Sequence, residues 1–121
     1  MTDRKRIVSK LDVIVSKIVR LRDGRCVICG TTENHTNGHL FSRVNYSTRW
    51  NLLNCHCQCA GCNCRHEYDW EPYRKWFVRE FGQAEYDELY HIHKQVTHFK
   101  TYELEEMYEE LKNQLKLMEA K

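Results

Sequence analysis

One proline and five glycines in 121 residues leave no stretch that reads as a flexible linker. No apolar run approaches the ~20 residues of a membrane span. The first apolar residues are interrupted by Lys10, Asp12, Lys17 and Arg20, so the opening segment does not read as a secretory signal. There is no internal repeat and no low-complexity tract. The length fits one small domain. With 41% hydrophobic and 30% charged residues, the core will be thin, and cores of this size are often held by a metal or a partner. The expected location is the cytoplasm, with no membrane association. Cysteine is what the chain has in plenty. Seven is an odd number, so a full set of internal bridges is impossible, and in a reducing compartment such residues point to metal binding.

The net charge is only +2, but it is unevenly spread. Residues 1–25 carry eight Lys/Arg against three Asp, residues 26–79 six against four, and residues 80–121 five against ten. A basic front and an acidic tail suggest that the first two-thirds faces an anion such as nucleic acid; two solvated helix faces of opposite sign give the same pattern.

From Arg4 to Arg22 the apolar residues Ile7, Leu11, Ile14, Ile18 and Leu21 recur at helical spacing, with Asp3 placed to cap and Gly24 to stop the helix. Its other face carries Lys10, Lys17 and Arg20. Residues 25–35 read as a knuckle and loop. Residues 38–41 and 51–57 are short enough for two strands, joined by the polar stretch Ser42–Arg49. Further helices are expected from the second knuckle to about Glu67, from Pro72 to Phe81, from Ala84 to His98, and from a Thr101 cap onward. The last has a heptad stripe, Leu104, Met107, Leu111, Leu115 and Met118, which could dock on the domain or pair with a second copy. The fold class is α+β and mostly helical by residue count. Its expected parts are a basic amphipathic helix (1–24), a knuckle domain with a helical extension (25–98), and an acidic C-terminal helix (99–121).

Cys26-x-x-Cys29 and Cys59-x-x-Cys62 form a strong metal signal. Two intervening residues let both sulfurs of a pair reach one tetrahedral Zn²⁺, and Gly30 and Gly61 ease the turns. The 29 residues between the pairs can hold a hairpin. Strand alternation puts Cys55, Cys57 and Cys59 on one face and Asn54, His56 and Gln58 on the other. Cys57 could therefore compete with Cys59 as a ligand; the repeated C-x-x-C spacing favours Cys59. Cys55 and Cys57 then read as small buried residues.

Between the knuckles lie Gly38-His39-Leu40, then Asn54, with Asn63 directly after Cys62. This pattern, H…N-x4-C-x-x-C-N within two knuckles, resembles the HNH (ββα-metal) endonucleases. The words CVICGTT, GHLFSR, TRW, QCAGCN and PYRKWFVREFGQAEYDEL resemble the NinG/Rap recombination proteins of lambdoid phages, over about residues 15–90. The resemblance implies a zinc-framed ββα-metal core with flanking helices and a phage or prophage origin in a bacterial host. It implies a metal-dependent, structure-selective DNA endonuclease acting on branched recombination intermediates, such as Holliday junctions or displacement loops. His39 would be the general base, suited by an imidazole pKa near working pH. Asn54 would hold the loop, and Asn63 would ligate a catalytic Mg²⁺ or Mn²⁺ through a hard amide oxygen. Products would carry 5′-phosphate and 3′-hydroxyl.

Many HNH enzymes have Asp or His before the base as a further ion ligand; here Gly38 offers no side chain. His56, on the Asn54 face, is the expected substitute, with His35, Asn37 and His66 behind it. Arg43 and Arg49 could clamp phosphates, with Lys10, Lys17 and Arg20 extending the footprint. Tyr46 and Trp50 could stack on unpaired bases, and Trp50 equally suits the core. A two-fold junction would favour a homodimer. The alternatives are a non-catalytic zinc-containing DNA-binding module, or a recombination adaptor whose acidic helix binds a partner protein.

Overall fold

The structure, a computed structural model, describes residues 2–121. The first helix, α1 (Asp3–Asp23), is capped by Thr2, whose hydroxyl accepts from the Lys5 N–H at 3.2 Å. Asp3, the cap expected from sequence, instead sits in the first turn, where its charge suits the helix dipole. Gly24 ends the helix at φ +73°, a left-handed conformation that glycine adopts without a Cβ penalty. The remaining elements are β1 (His35–His39), α2 (Tyr46–Arg49), β2 (Cys55–Cys59), α3 (Ala60–His66), α4 (Glu71–Phe81), α5 (Gln83–Lys94) and α6 (Thr101–Glu119).

The two strands pair antiparallel, with His39 opposite Cys55, Gly38 opposite His56 and His35 opposite Cys59. Both lie closer to the knuckles than the apolar pattern suggests. The residues expected to open β2 form a turn, held where the Asn51 side chain accepts from the Leu53 N–H at 2.9 Å. The ladder is set from the knuckle end, where Ala60 N–H bonds Asn34 O and Val27 N–H bonds Cys57 O, each at 2.9 Å.

The apolar stripe of α1 (Ile7, Leu11, Ile14, Val15, Ile18, Val19) buries against Cys55, Cys57 and Trp50 and against Leu104 and Leu111 of α6. Each such aliphatic side chain contributes about 1.5–3 kcal/mol when fully buried. The heptad stripe of α6 is thus docked on α1. The two helices run side by side in the same direction: Arg4 bonds the Phe99 carbonyl, Lys10 lies over Tyr108, and Ile18 shares a groove with Met118. A second core, Leu40, Tyr73, Phe77 and Leu89, lies under α4 and α5. The α4 helix starts with Pro72 in its first turn and stops at Gly82. The α5 helix ends at Lys94, short of the expected His98, because Gln95 turns extended.

Candidate metal centre and adjoining cleft

The four expected zinc cysteines converge. Their Sγ atoms all lie within 4.8 Å of one another. Cys29 Sγ and Cys59 Sγ are 3.7 Å apart, too far for a disulfide of about 2.05 Å. Four sulfurs at about 2.3 Å from one zinc stand ~3.8 Å from each other, so the spacing fits that ion. Each knuckle turns the same way: the Cys29 N–H points to Cys26 Sγ and the Cys62 N–H to Cys59 Sγ. Burial raises the Cys26 thiol pKa, but N–H groups of Cys29, Cys59 and Ile28 outweigh it and bring the value to about 6. Burial and the neighbouring cysteines push Cys62 the other way. Cys26 is thus favoured as a thiolate and Cys62 is not; a divalent ion would resolve that conflict. Cys57 is not in the group. It is fully buried with Cys55 against α1, its N–H donates to Asp23 at 2.8 Å, and burial raises its pKa to about 11.

Beside the cysteines, Asn37, His39, Arg43, Asn63, Glu67 and Trp70 help line a cleft of about 690 Å³. His39 is fixed by its Nε2, 3.0 Å from the Arg49 carbonyl oxygen. A carbonyl only accepts, so Nε2 carries the proton and Nδ1 holds the lone pair in the neutral ring. Burial lowers the pKa of His39, with the Arg49 carbonyl pulling the other way, so the ring stays neutral near pH 7. Asn54 is fully buried and staples the loop that presents this carbonyl. Its Oδ1 accepts from the Phe41 N–H at 2.8 Å, and its Nδ2 donates to the carbonyls of Phe41 and Thr48.

Asn63 follows Cys62 on α3, and its Nδ2 donates to Thr36 Oγ1 at 3.1 Å, leaving Oδ1 as the free acceptor. Asn37 Oδ1 is buried and has no hydrogen-bond partner. Glu67 lies one helical turn beyond Asn63 and lines the same cleft. Sequence reasoning passed over it, although its i+4 spacing from Asn63 was a usable signal.

His56 does not join this group, which corrects the expectation that it completes the ion site. It stands opposite Gly38, on the face away from His39 and Cys55. There it is buried among Tyr73, Trp76, Phe77 and Phe81. Tyr73 O–H donates to the Gly38 carbonyl at 2.8 Å, so His56 Nδ1–H donates to the Tyr73 oxygen at 3.0 Å. The Asn54 side chain serves the loop while His56 serves α4, because the strand begins only at Cys55. Gly38 is accounted for from the same side: a Cβ there would stand 2.0 Å from Gln58 Oε1. The space a side chain at Gly38 would need is filled by the buried Gln58.

Of the weaker candidates, His35 bonds the Thr31 carbonyl in the first knuckle. His66 donates Nε2–H to the Leu40 carbonyl at 2.9 Å and leaves Nδ1 buried without a partner. Arg49 is drawn away from the surface. Asp12 accepts from Arg49 at 2.6 and 3.0 Å, from Trp50 Nε1 at 2.8 Å and from Arg43 at 3.3 Å. Arg49 is left 12% exposed, whereas Arg43 keeps 60% and reaches the cleft. Burial opposes ionisation of Asp12, but these donors hold its pKa below the usual carboxylate value. Trp50, 5% exposed, is core and not free to stack on a base, and the half-buried Tyr46 packs on it. Lys10, Lys17 and Arg20 are exposed on α1 but line no part of the cleft. A larger groove, about 800 Å³ between α1 and α6, is lined by Glu105, Glu106, Glu109 and Glu110 and is unsuited to a phosphate backbone.

Fold and site together define a small α+β protein with a four-cysteine cluster able to hold one structural zinc, and a histidine-bearing cleft on the same hairpin. A family model described as Bacteriophage Lambda NinG protein matches residues 1–121, and the chain belongs to that family. No curated protein and no solved structure matches it. Among the described residues, no helix is long and apolar enough to cross a membrane.

Proposed function

We propose that the chain is an HNH-type, metal-dependent endonuclease that cuts branched DNA made in recombination, with His39 as general base. The observation that carries this reading is the fixed tautomer of His39, held by the Arg49 carbonyl in the cleft that Asn63 also lines. A neutral imidazole whose Nδ1 is free of the carbonyl can take a proton from water. Asn63 and Asn37 offer amide oxygens and Glu67 a carboxylate, a hard donor set suited to Mg²⁺ or Mn²⁺. The orphaned Asn37 Oδ1 is the atom most in need of such a partner. An ion bound there would supply charge stabilisation at the scissile phosphate. Arg43 would hold a neighbouring phosphate, and the zinc would only brace the hairpin against α3. Products would be 5′-phosphate and 3′-hydroxyl ends.

The test is cleavage of labelled four-way junction, nicked duplex and linear duplex with Mg²⁺, Mn²⁺ or EDTA. Wild type should cut the junction in either metal and not in EDTA, and His39→Ala should lose at least about 100-fold, the scale of general-base catalysis. The acid limb of the rate profile should lie below pH 6.5, because the folded pKa of His39 is lowered. A second reading, a zinc-containing DNA-binding module without catalysis, draws on Gly38, which offers no side chain to an ion and whose Cβ position Gln58 fills. Junction binding with no cutting in any metal would favour it.

A further inference from the structure

The cleft has a second half that the chemistry above does not use. Trp70, just before α4, is 58% exposed; its carbonyl accepts from the Arg74 N–H, but its side chain has no ring partner or hydrogen bond among the described residues. Tyr90 on α5 is 42% exposed, and Tyr86 lies one turn before it; all three line the cleft that holds His39 and Asn63. Large rings left in water around a concave site usually mark a ligand surface.

The platform under these rings is built for flat contacts. Phe41 and His93 stack with centroids 4.3 Å apart and planes 3° from parallel. Tyr86 and Tyr90 pack around Phe41 at 5.4 and 5.8 Å, so their rings are braced. Cations stand at the margin: Arg43 lines the cleft, and Lys94 Nζ lies 5.4 Å from the Tyr90 ring centre. Aromatic faces beside cations and a phosphate-directed histidine match one ligand, a nucleotide whose base is free to stack.

Resting on the nuclease reading of His39, we propose that Trp70, Tyr86 and Tyr90 bind one unpaired nucleobase next to the scissile phosphate. A paired base has both faces covered by its neighbours, and exposing one costs a few kcal/mol. At a fork or in a single strand that cost is already met, whereas in a fully paired four-way junction every base is still paired. The subsite therefore selects unpaired structure without reading base edges, and it tolerates any sequence. Tyr86, Tyr90 and His93 share one face of α5 at i, i+4 and i+7, and Trp70 joins them only through the fold.

The experiment uses full-length, zinc-loaded protein carrying His39→Ala, so that DNA is bound and not cut. The probe is 2-aminopurine at the unpaired position of a forked DNA, with a fully paired duplex as control. Binding should quench the probe. Adding Trp70→Ala and Tyr90→Ala should weaken fork binding about 10- to 100-fold, the range for lost base stacking, and leave duplex binding within about twofold. Trp70→Phe should restore most of the loss, which separates stacking from misfolding. Absence of quenching, or an equal loss on fork and duplex, overturns the proposal. Quenching by this protein, with no cutting by the wild type in any metal, would support the base subsite and refute the nuclease reading; cutting by the wild type with no quenching would do the reverse.

Discussion

Acid should destabilise this protein through one buried ring. Burial, and after it the charge of Arg22, lowers the His56 pKa to about 4, against 6.5 for a free imidazole. Unfolded chain therefore binds a proton that folded chain refuses. The stability this contributes is fully present above pH 6.5 and is lost as pH falls toward 4. At 1.36 kcal/mol per pH unit the whole window is worth about 3 kcal/mol, of which about 2 kcal/mol has gone by pH 5. Urea unfolding of the zinc-loaded protein at pH 8 and pH 5 measures it. The comparison is His56→Asn, which keeps a donor near the Tyr73 hydroxyl and cannot titrate. The variant will be less stable at every pH because ring packing is lost, so the readout is the difference in slope with pH. His39 and His93, whose pKa values burial also lowers, contribute equally to both proteins and cancel. If both lose the same stability between pH 8 and pH 5, the ring is not held neutral and the reasoning fails.

Three further outcomes follow from the geometry. Zinc is expected at one per chain by native mass spectrometry, and chelation should unfold the protein by circular dichroism, because a structural zinc supplies about 10–16 kcal/mol, as much as a small domain's whole stability. Gly38→Ala should cost about 1–3 kcal/mol in thermal or urea unfolding, since its Cβ meets Gln58 at 2.0 Å. Adding Gln58→Ala should recover part of that, and no recovery would mean the clash lies elsewhere. Removing residues 100–121 should yield an aggregating or molten chain by near-ultraviolet circular dichroism, because Leu104 and Leu111 cover the α1 stripe.

The metal frame was legible in the sequence because tetrahedral zinc demands close thiolate pairs, and C-x-x-C is a local record of that demand. The first helix was legible through its period. The strands were misplaced because β1 reads His-Thr-Asn-Gly-His, a polar run that lines a site and so carries no alternating apolar signal. His56 was misassigned because alternation gives a face but not its neighbour, and only α4 makes that face an aromatic box. The capture of Arg49 by Asp12 depends on α1 crossing the loop after β1, 37 residues away in sequence. The stripe of α6 was visible, but that Leu104 and Leu111 bury against α1 is a property of the tertiary fold alone.

The pairing of α1 with α6 also bears on how the chain is made. Arg4 bonds the carbonyl of a residue 95 positions later. During synthesis α1 emerges before α6, and the part of its apolar stripe that Leu104 and Leu111 cover stays open until α6 follows. The knuckles, hairpin and α3 are all delivered before that, so zinc can be captured while the fold is still open at this face. Contacts this distant in sequence close late and slow folding. Until then the side of α1 that α6 covers leaves apolar side chains in water, the kind of surface that chaperones bind and that aggregation begins from.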